Sequence, residues 1–221
     1  MNIESLSFET ANGETGAYVA MPELPSDKAV IVIHEWWGLN EHIKDIARRY
    51  AGEGFVAVAP DLYRGTIATD GDDASKLMHD LKIEDGLDTI KSTIDAASGV
   101  YYLASFGITG FCMGGTFALR AACEIDSLKA AVAFYGDIPE DDVVKLLSVP
   151  TTFISGTRDA WITPEKVSAL ENAAARYGLP VNVVKYDADH AFFNDTRPEV
   201  YDKANAEAAW KLAIGVFNAS L

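Results

Sequence analysis

The chain has 221 residues, 49% of them hydrophobic, enough for the core of one compact domain. Its formal net charge of −15 repels polyanions, so nucleic acid and anionic membrane surfaces are poor partners. No apolar run approaches the roughly 18 residues of a membrane span, and the amino end MNIESLSFET lacks the basic flank and apolar core of a signal peptide. A cytoplasmic location is expected.

In chain order, Ile3–Phe8 and Ala17–Met21 read as two strands around an Asn12-Gly13 turn. Lys28–His34 is a continuous β-branched run, as in a parallel strand buried on both faces. A helix over about 41–53 follows, with Ile43, Ile46, Ala47 and Tyr50 at helical spacing, and Gly54 closes it. Phe55–Ala59 is the next strand, and one long amphipathic helix is predicted over about 74–97. The strand Phe106–Phe111 leads through a turn into a helix ending at Ile125. Then come strand Ala130–Tyr135, a short acidic helix near 139–147, and strand Thr151–Ser155. A helix near 164–177, strand Val181–Tyr186 and a last helix over about 200–218 complete the chain. This alternation gives an α/β fold with a mainly parallel sheet and helices on both faces, in one domain over 1–221. Functional groups are then expected at strand carboxyl ends.

One such end carries Gly110-Phe111-Cys112-Met113-Gly114-Gly115, the nucleophile-elbow pattern with cysteine in the serine's place. Glycines beside the nucleophile let strand and helix close up around a strained residue. A phosphate cradle is disfavoured, because neither the Lys-Ser/Thr of a P-loop nor a full G-x-G-x-x-G is present. Cys123 reads as a small core residue. On one helix it would stand about 16 Å from Cys112 at ~1.5 Å per residue, too far for a disulfide.

Asp159 in the loop SGTRDAWITPE and His190 in YDADHAFF follow later strands. The order Cys112, Asp159, His190 is the nucleophile–acid–histidine order of the α/β-hydrolase fold. Asp137, Asp187 and Asp189 are rival acids. Strand 28–34 runs into His34-Glu35-Trp36-Trp37-Gly38, where the backbone N–H of Glu35 or Trp36 would join that of Met113 in an oxyanion hole. His34-Glu35 does not extend to H-e-x-x-H, since Gly38 stands where a second histidine is needed, so no metal is expected. Nothing in the pattern calls for a cofactor. Trp36, Trp161, Phe192 and Phe193 are candidates to line an apolar substrate pocket.

GFCMGG, GTRDAWITPE, DADHAFF and the segment IVIHEWWGLNEHIKDIARRYAGEGFVAVAPDLYRG together resemble the dienelactone hydrolase family of α/β-hydrolases, over nearly the whole chain. That resemblance implies Cys112 as nucleophile, His190 as general base, Asp159 as its orienting acid, and Glu35 as a glutamate that contacts the resting thiol. It implies opening of an enol-lactone bearing an exocyclic carboxylate, in the breakdown of catechols. Family members hold that carboxylate with two arginines. Here Gly71–Leu81 has no arginine, and Ala191 and Asn194 follow His190, leaving Arg64, Lys76 or Arg197 as substitutes. A general small-ester or thioester hydrolase is therefore the main alternative, and a non-catalytic binder or cysteine redox sensor the more distant one. A small-molecule ester or lactone is the expected partner, with the chain a monomer or weak homo-oligomer.

Overall fold

The computed structural model describes residues 1–221. Eight strands form one sheet in the order β1-β2-β4-β3-β5-β6-β7-β8. β1 (Asn2–Thr10) and β2 (Gly13–Met21) form an antiparallel hairpin at one edge, and β2 also runs antiparallel to β4 (Val56–Pro60). Its turn residues are Ala11 and Asn12, because Thr10 pairs with Gly13. From β4 through β3 (Lys28–Ile33), β5 (Ser105–Phe111), β6 (Leu128–Phe134), β7 (Thr151–Gly156) and β8 (Val181–Tyr186), every pairing is parallel. The carboxyl ends of these six strands therefore share one rim.

Two apolar layers sandwich the sheet. One carries Ile31, Ile33, Ile108 and Phe153, and the other Val30, Val32, Phe134 and Ile154. Alternate residues of one strand supply opposite layers, which is why the central strands read as unbroken apolar runs. Helices α1 (Glu41–Gly52) and α7 (Lys203–Ser220) contribute to the second layer. α3 (Ile83–Tyr101), α4 (Met113–Glu124) and α6 (Pro164–Tyr177) contribute to the first.

The long helix expected over 74–97 is two helices, α2 (Gly71–Asp80) and α3, separated by extended backbone at Leu81 and Lys82. The apolar stripe Ala74, Leu77, Met78, Leu81 would continue at positions 84 and 85, which are Glu84 and Asp85. Apolar residues resume instead at Ile83, Leu87, Ile90 and Ile94, so a straight helix could not turn both stripes inward. The acidic helix shrinks to α5 (Asp141–Val144), and α7 starts at Lys203, with Asp202 as its side-chain cap. No helix is long and apolar enough to cross a membrane.

Candidate active site

Cys112 stands between β5 and α4 with φ 55° and ψ −117°, a strained conformation for a residue with a Cβ. The elbow tolerates it because its neighbours lack side chains. A Cβ on Gly110 would lie 2.0 Å from the Gly114 carbonyl oxygen, and one on Gly114 would lie 2.3 Å from that of Ile33. Cys112 is 9% exposed, so its sulfur is reached through a cleft and does not project into bulk water. Burial, then the neighbouring Glu35 carboxyl, push the thiol up to about 12, against a smaller opposing pull from the Met113 N–H. The helix terminus favours thiolate, as its position predicts, but burial outweighs it.

His190 follows β8, and its Nδ1 lies 2.7 Å from Asp159 Oδ2. Asp159 follows β7, and its second oxygen accepts from the N–H groups of Trp161 at 2.7 Å and Ile162 at 2.9 Å. Burial works to raise the Asp159 carboxyl, yet these bonds and the His190 charge outweigh it and hold the group below its ordinary value. An ionised Asp159 accepts a hydrogen bond from Nδ1–H of the ring, leaving Nε2, which has no hydrogen-bond partner, as the free lone pair. The ring stacks on Trp161 with centroids 5.3 Å apart. The rival acids are engaged elsewhere. Asp187 and Asp189 bind Arg158, and Asp137 binds Lys166 at 2.8 Å.

Glu35 begins the loop after β3 and is buried, accepting from Asn194 Nδ2 at 2.7 Å. Asn194 cannot present its oxygen there, because that atom accepts from the Thr196 N–H at 3.0 Å and its hydroxyl at 2.6 Å. The other Glu35 oxygen has no partner. Burial raises the Glu35 carboxyl despite the Asn194 bond and the nearby His190 and Arg197. Buried His34 fixes the adjoining peptide. Its Nε2 accepts from the Leu62 N–H at 3.1 Å, so its Nδ1 donates to the Glu35 carbonyl at 2.6 Å. Carbonyl and N–H of a trans peptide point opposite ways, so the Trp36 N–H is directed away from these partners and has no acceptor. The Met113 N–H, first in α4, likewise has no intrahelical acceptor.

Cys112, His190, Glu35, Trp36 and Trp161 line one cleft of about 350 Å³. Residues 15–221 match the dienelactone hydrolase family. The chain belongs to that family. It is 36% identical to "Protein usf" of Aquifex pyrophilus, over 97% of each chain. It is 35% identical to a "Putative carboxymethylenebutenolidase" of Aquifex aeolicus, over 99% of each. A solved structure titled "Putative Dienelactone Hydrolase" from Klebsiella pneumoniae superposes with a TM-score of 0.89 at 29% identity, covering 99% of both chains. The protein is thus a hydrolase of the dienelactone hydrolase type with the α/β-hydrolase fold.

In this dienelactone hydrolase relative, four of the residues considered for the pocket lie elsewhere. Arg64 forms a two-pronged pair with Asp85, at 2.6 and 3.1 Å, and does not line the cleft. Phe192 is fully buried against Tyr135 and Tyr186, and Phe193 lines a separate hollow between α1 and α7. The aromatic pair following His190 is core because Ala191, at φ 62°, turns the chain inward. Lys76 is exposed and outside the cleft, whereas Arg197 lines it. Arg158, also in the cleft wall, is a residue that sequence reasoning passed over, although it adjoins Asp159. The hollow between α1 and α7, about 420 Å³, contains neither Cys112 nor His190. No group of three or more His, Cys, Asp or Glu side chains could hold a metal ion.

Proposed function

We propose that the protein hydrolyses an ester or lactone through Cys112, His190 and Asp159 by way of an acyl-enzyme. The observation that carries this reading is the free Nε2 of an Asp159-held imidazole in the same cleft as a strained elbow cysteine. His190 Nε2 accepts the Cys112 thiol proton, and the resulting thiolate adds to the substrate carbonyl carbon. The developing oxyanion meets the Met113 and Trp36 N–H groups, each worth roughly 3–4 kcal/mol in comparable sites. His190 Nε2 passes a proton to the departing alkoxide, leaving a thioester on Cys112. Water then gives a proton to Nε2 as it attacks, releasing the acid and regenerating the thiol. Asp159 keeps the ring in the tautomer that this requires.

The cleft favours esters with little charge over a lactone bearing a free carboxylate. Arg158 is held by two aspartates, and Arg197 Nε donates to Glu199 at 2.8 Å, so only the terminal Nη groups of Arg197 are left for an anion. The test is turnover of an aryl acetate and a dienelactone by wild type, Cys112→Ala and His190→Ala. Both variants are expected to lose about 10³-fold or more in kcat. Cys112→Ala at wild-type rates would defeat the nucleophile assignment. Dienelactone turnover exceeding that of the aryl ester would reverse the substrate preference.

A further inference from the structure

Cys112, His190 and Trp161 border two hollows at once. The wider is the 350 Å³ cleft that also contains Glu35, Arg158 and Arg197. The narrower, about 180 Å³, is walled by Met78, Met113, Tyr135, Trp161 and Ile162. Its charged members satisfy one another, and the buried Tyr135 hydroxyl is left without a partner. Thr116 Oγ1 accepts from the Asp137 N–H at 2.8 Å, and Lys166 Nζ donates to Asp137 Oδ1 at 2.8 Å. A ligand arm entering there meets thioether, aliphatic and aromatic surface, with no unpaired charge.

We propose that the narrow lobe is an acyl subsite for a short, unbranched aliphatic arm. This rests on Cys112 being the acylated nucleophile. When the thiolate bonds to the carbonyl carbon and the alkoxide leaves with a proton from His190, the acyl arm stays tethered to sulfur. The alcohol must then depart and water must take its place beside His190 Nε2. The wider lobe, with Glu35, Arg158 and Arg197 in its wall, suits water and the departing alcohol, whereas the narrower lobe offers mainly apolar surface, so the tethered arm belongs in the narrow lobe. The substrate class is thereby a short- to medium-chain aliphatic ester. Met78, on α2, is a flexible part of the wall, so its size is expected to tune the length of arm the lobe accepts.

The test is a series of p-nitrophenyl esters from acetate to decanoate, with wild type, Met78→Trp and Met78→Ala. In wild type, kcat/KM is expected to rise about fourfold per added methylene until the lobe is full, and to fall beyond it. Met78→Trp moves the optimum to shorter chains and Met78→Ala to longer ones. A flat profile, or one optimum shared by all three proteins, overturns the subsite and leaves the esterase reading intact. Absence of turnover on every ester defeats the esterase reading instead. The lobe is then judged by N-alkyl iodoacetamides of rising chain length, in which the Cys112 thiolate displaces iodide, read by peptide mass spectrometry. Labelling that depends on chain length and shifts in the Met78 variants supports an alkyl site beside the sulfur. Labelling indifferent to both overturns it.

Discussion

Glu35 and Cys112 are two acids buried in one cleft; burial raises both, and the Glu35 charge makes ionisation of the thiol harder still. A neutral thiol oxidises and alkylates more slowly than a thiolate, so the resting enzyme is protected. Glu35→Gln keeps an acceptor for Asn194 but removes the charge. Alkylation of Cys112 by iodoacetamide at pH 8 is expected to be about tenfold faster in that variant, the equivalent of one pK unit. An unchanged rate would remove Glu35 from control of the thiol. Stability gives a second readout. A carboxyl raised above its unfolded value of about 4.3 keeps its proton longer in the folded chain, so stability declines as pH climbs from there through the folded value. Calorimetric melting should therefore show the advantage of Glu35→Gln over wild type growing between pH 4 and pH 8. A constant difference would contradict the raised carboxyl. Sequence marks Glu35 as a loop carboxylate but gives no sign of its burial or of the Asn194 bond, since the partner lies 159 residues away.

At the scale of elements, the β5–Cys112–α4 elbow is the most constrained junction. Its glycines were legible because a G-x-Nuc-x-G spacing has a local steric cause. With the Gly110 Cβ position only 2.0 Å from backbone, Gly110→Ala cannot be accommodated by rotating a side chain. A destabilisation of about 3 kcal/mol is expected, or a melting temperature lower by roughly 6–12 °C for a chain of this size. Gly99→Ala, where a Cβ meets nothing within 4 Å on α3, is the control and should melt near wild type. Equal melting of the two variants would refute the steric account. The split between α2 and α3 was visible in principle, because the apolar stripe shifts phase at Ile83. It was obscured by good helix formers on both sides of the break.

Across the whole molecule, the site is assembled from the carboxyl ends of β3, β5, β7 and β8, and from the 187–202 segment that carries His190, Asn194 and Arg197. That segment is gripped from α1, where Arg49 pairs with Asp195 and buried His42 lies 3.4 Å from the same carboxylate. The surface charge acts on all of it together. With 33 acidic and 18 basic residues, self-repulsion opposes the folded state more than its surface ion pairs support it. Raising sodium chloride from about 10 to 200 mM shortens the Debye length from roughly 30 to below 10 Å. The melting temperature should then rise by about 3 °C, or about 1 kcal/mol for this size. A fall would mean that attractive pairs dominate.

The sequence by itself determined the alternating architecture, the elbow and the order of its chemical groups. These depend on periodicity and turn sterics acting within a few residues. It also favoured Asp159 over its rivals, but the decision lay in three dimensions, where Asp137, Asp187 and Asp189 each meet a cation. Tertiary packing alone placed Arg64 on Asp85, turned Phe192 into the core, brought Arg158 to the cleft wall and divided the space around Cys112 into two lobes. The reason is physical. Burial and the direction of a side chain are set by elements distant in the chain, and no local pattern encodes which of them will be adjacent.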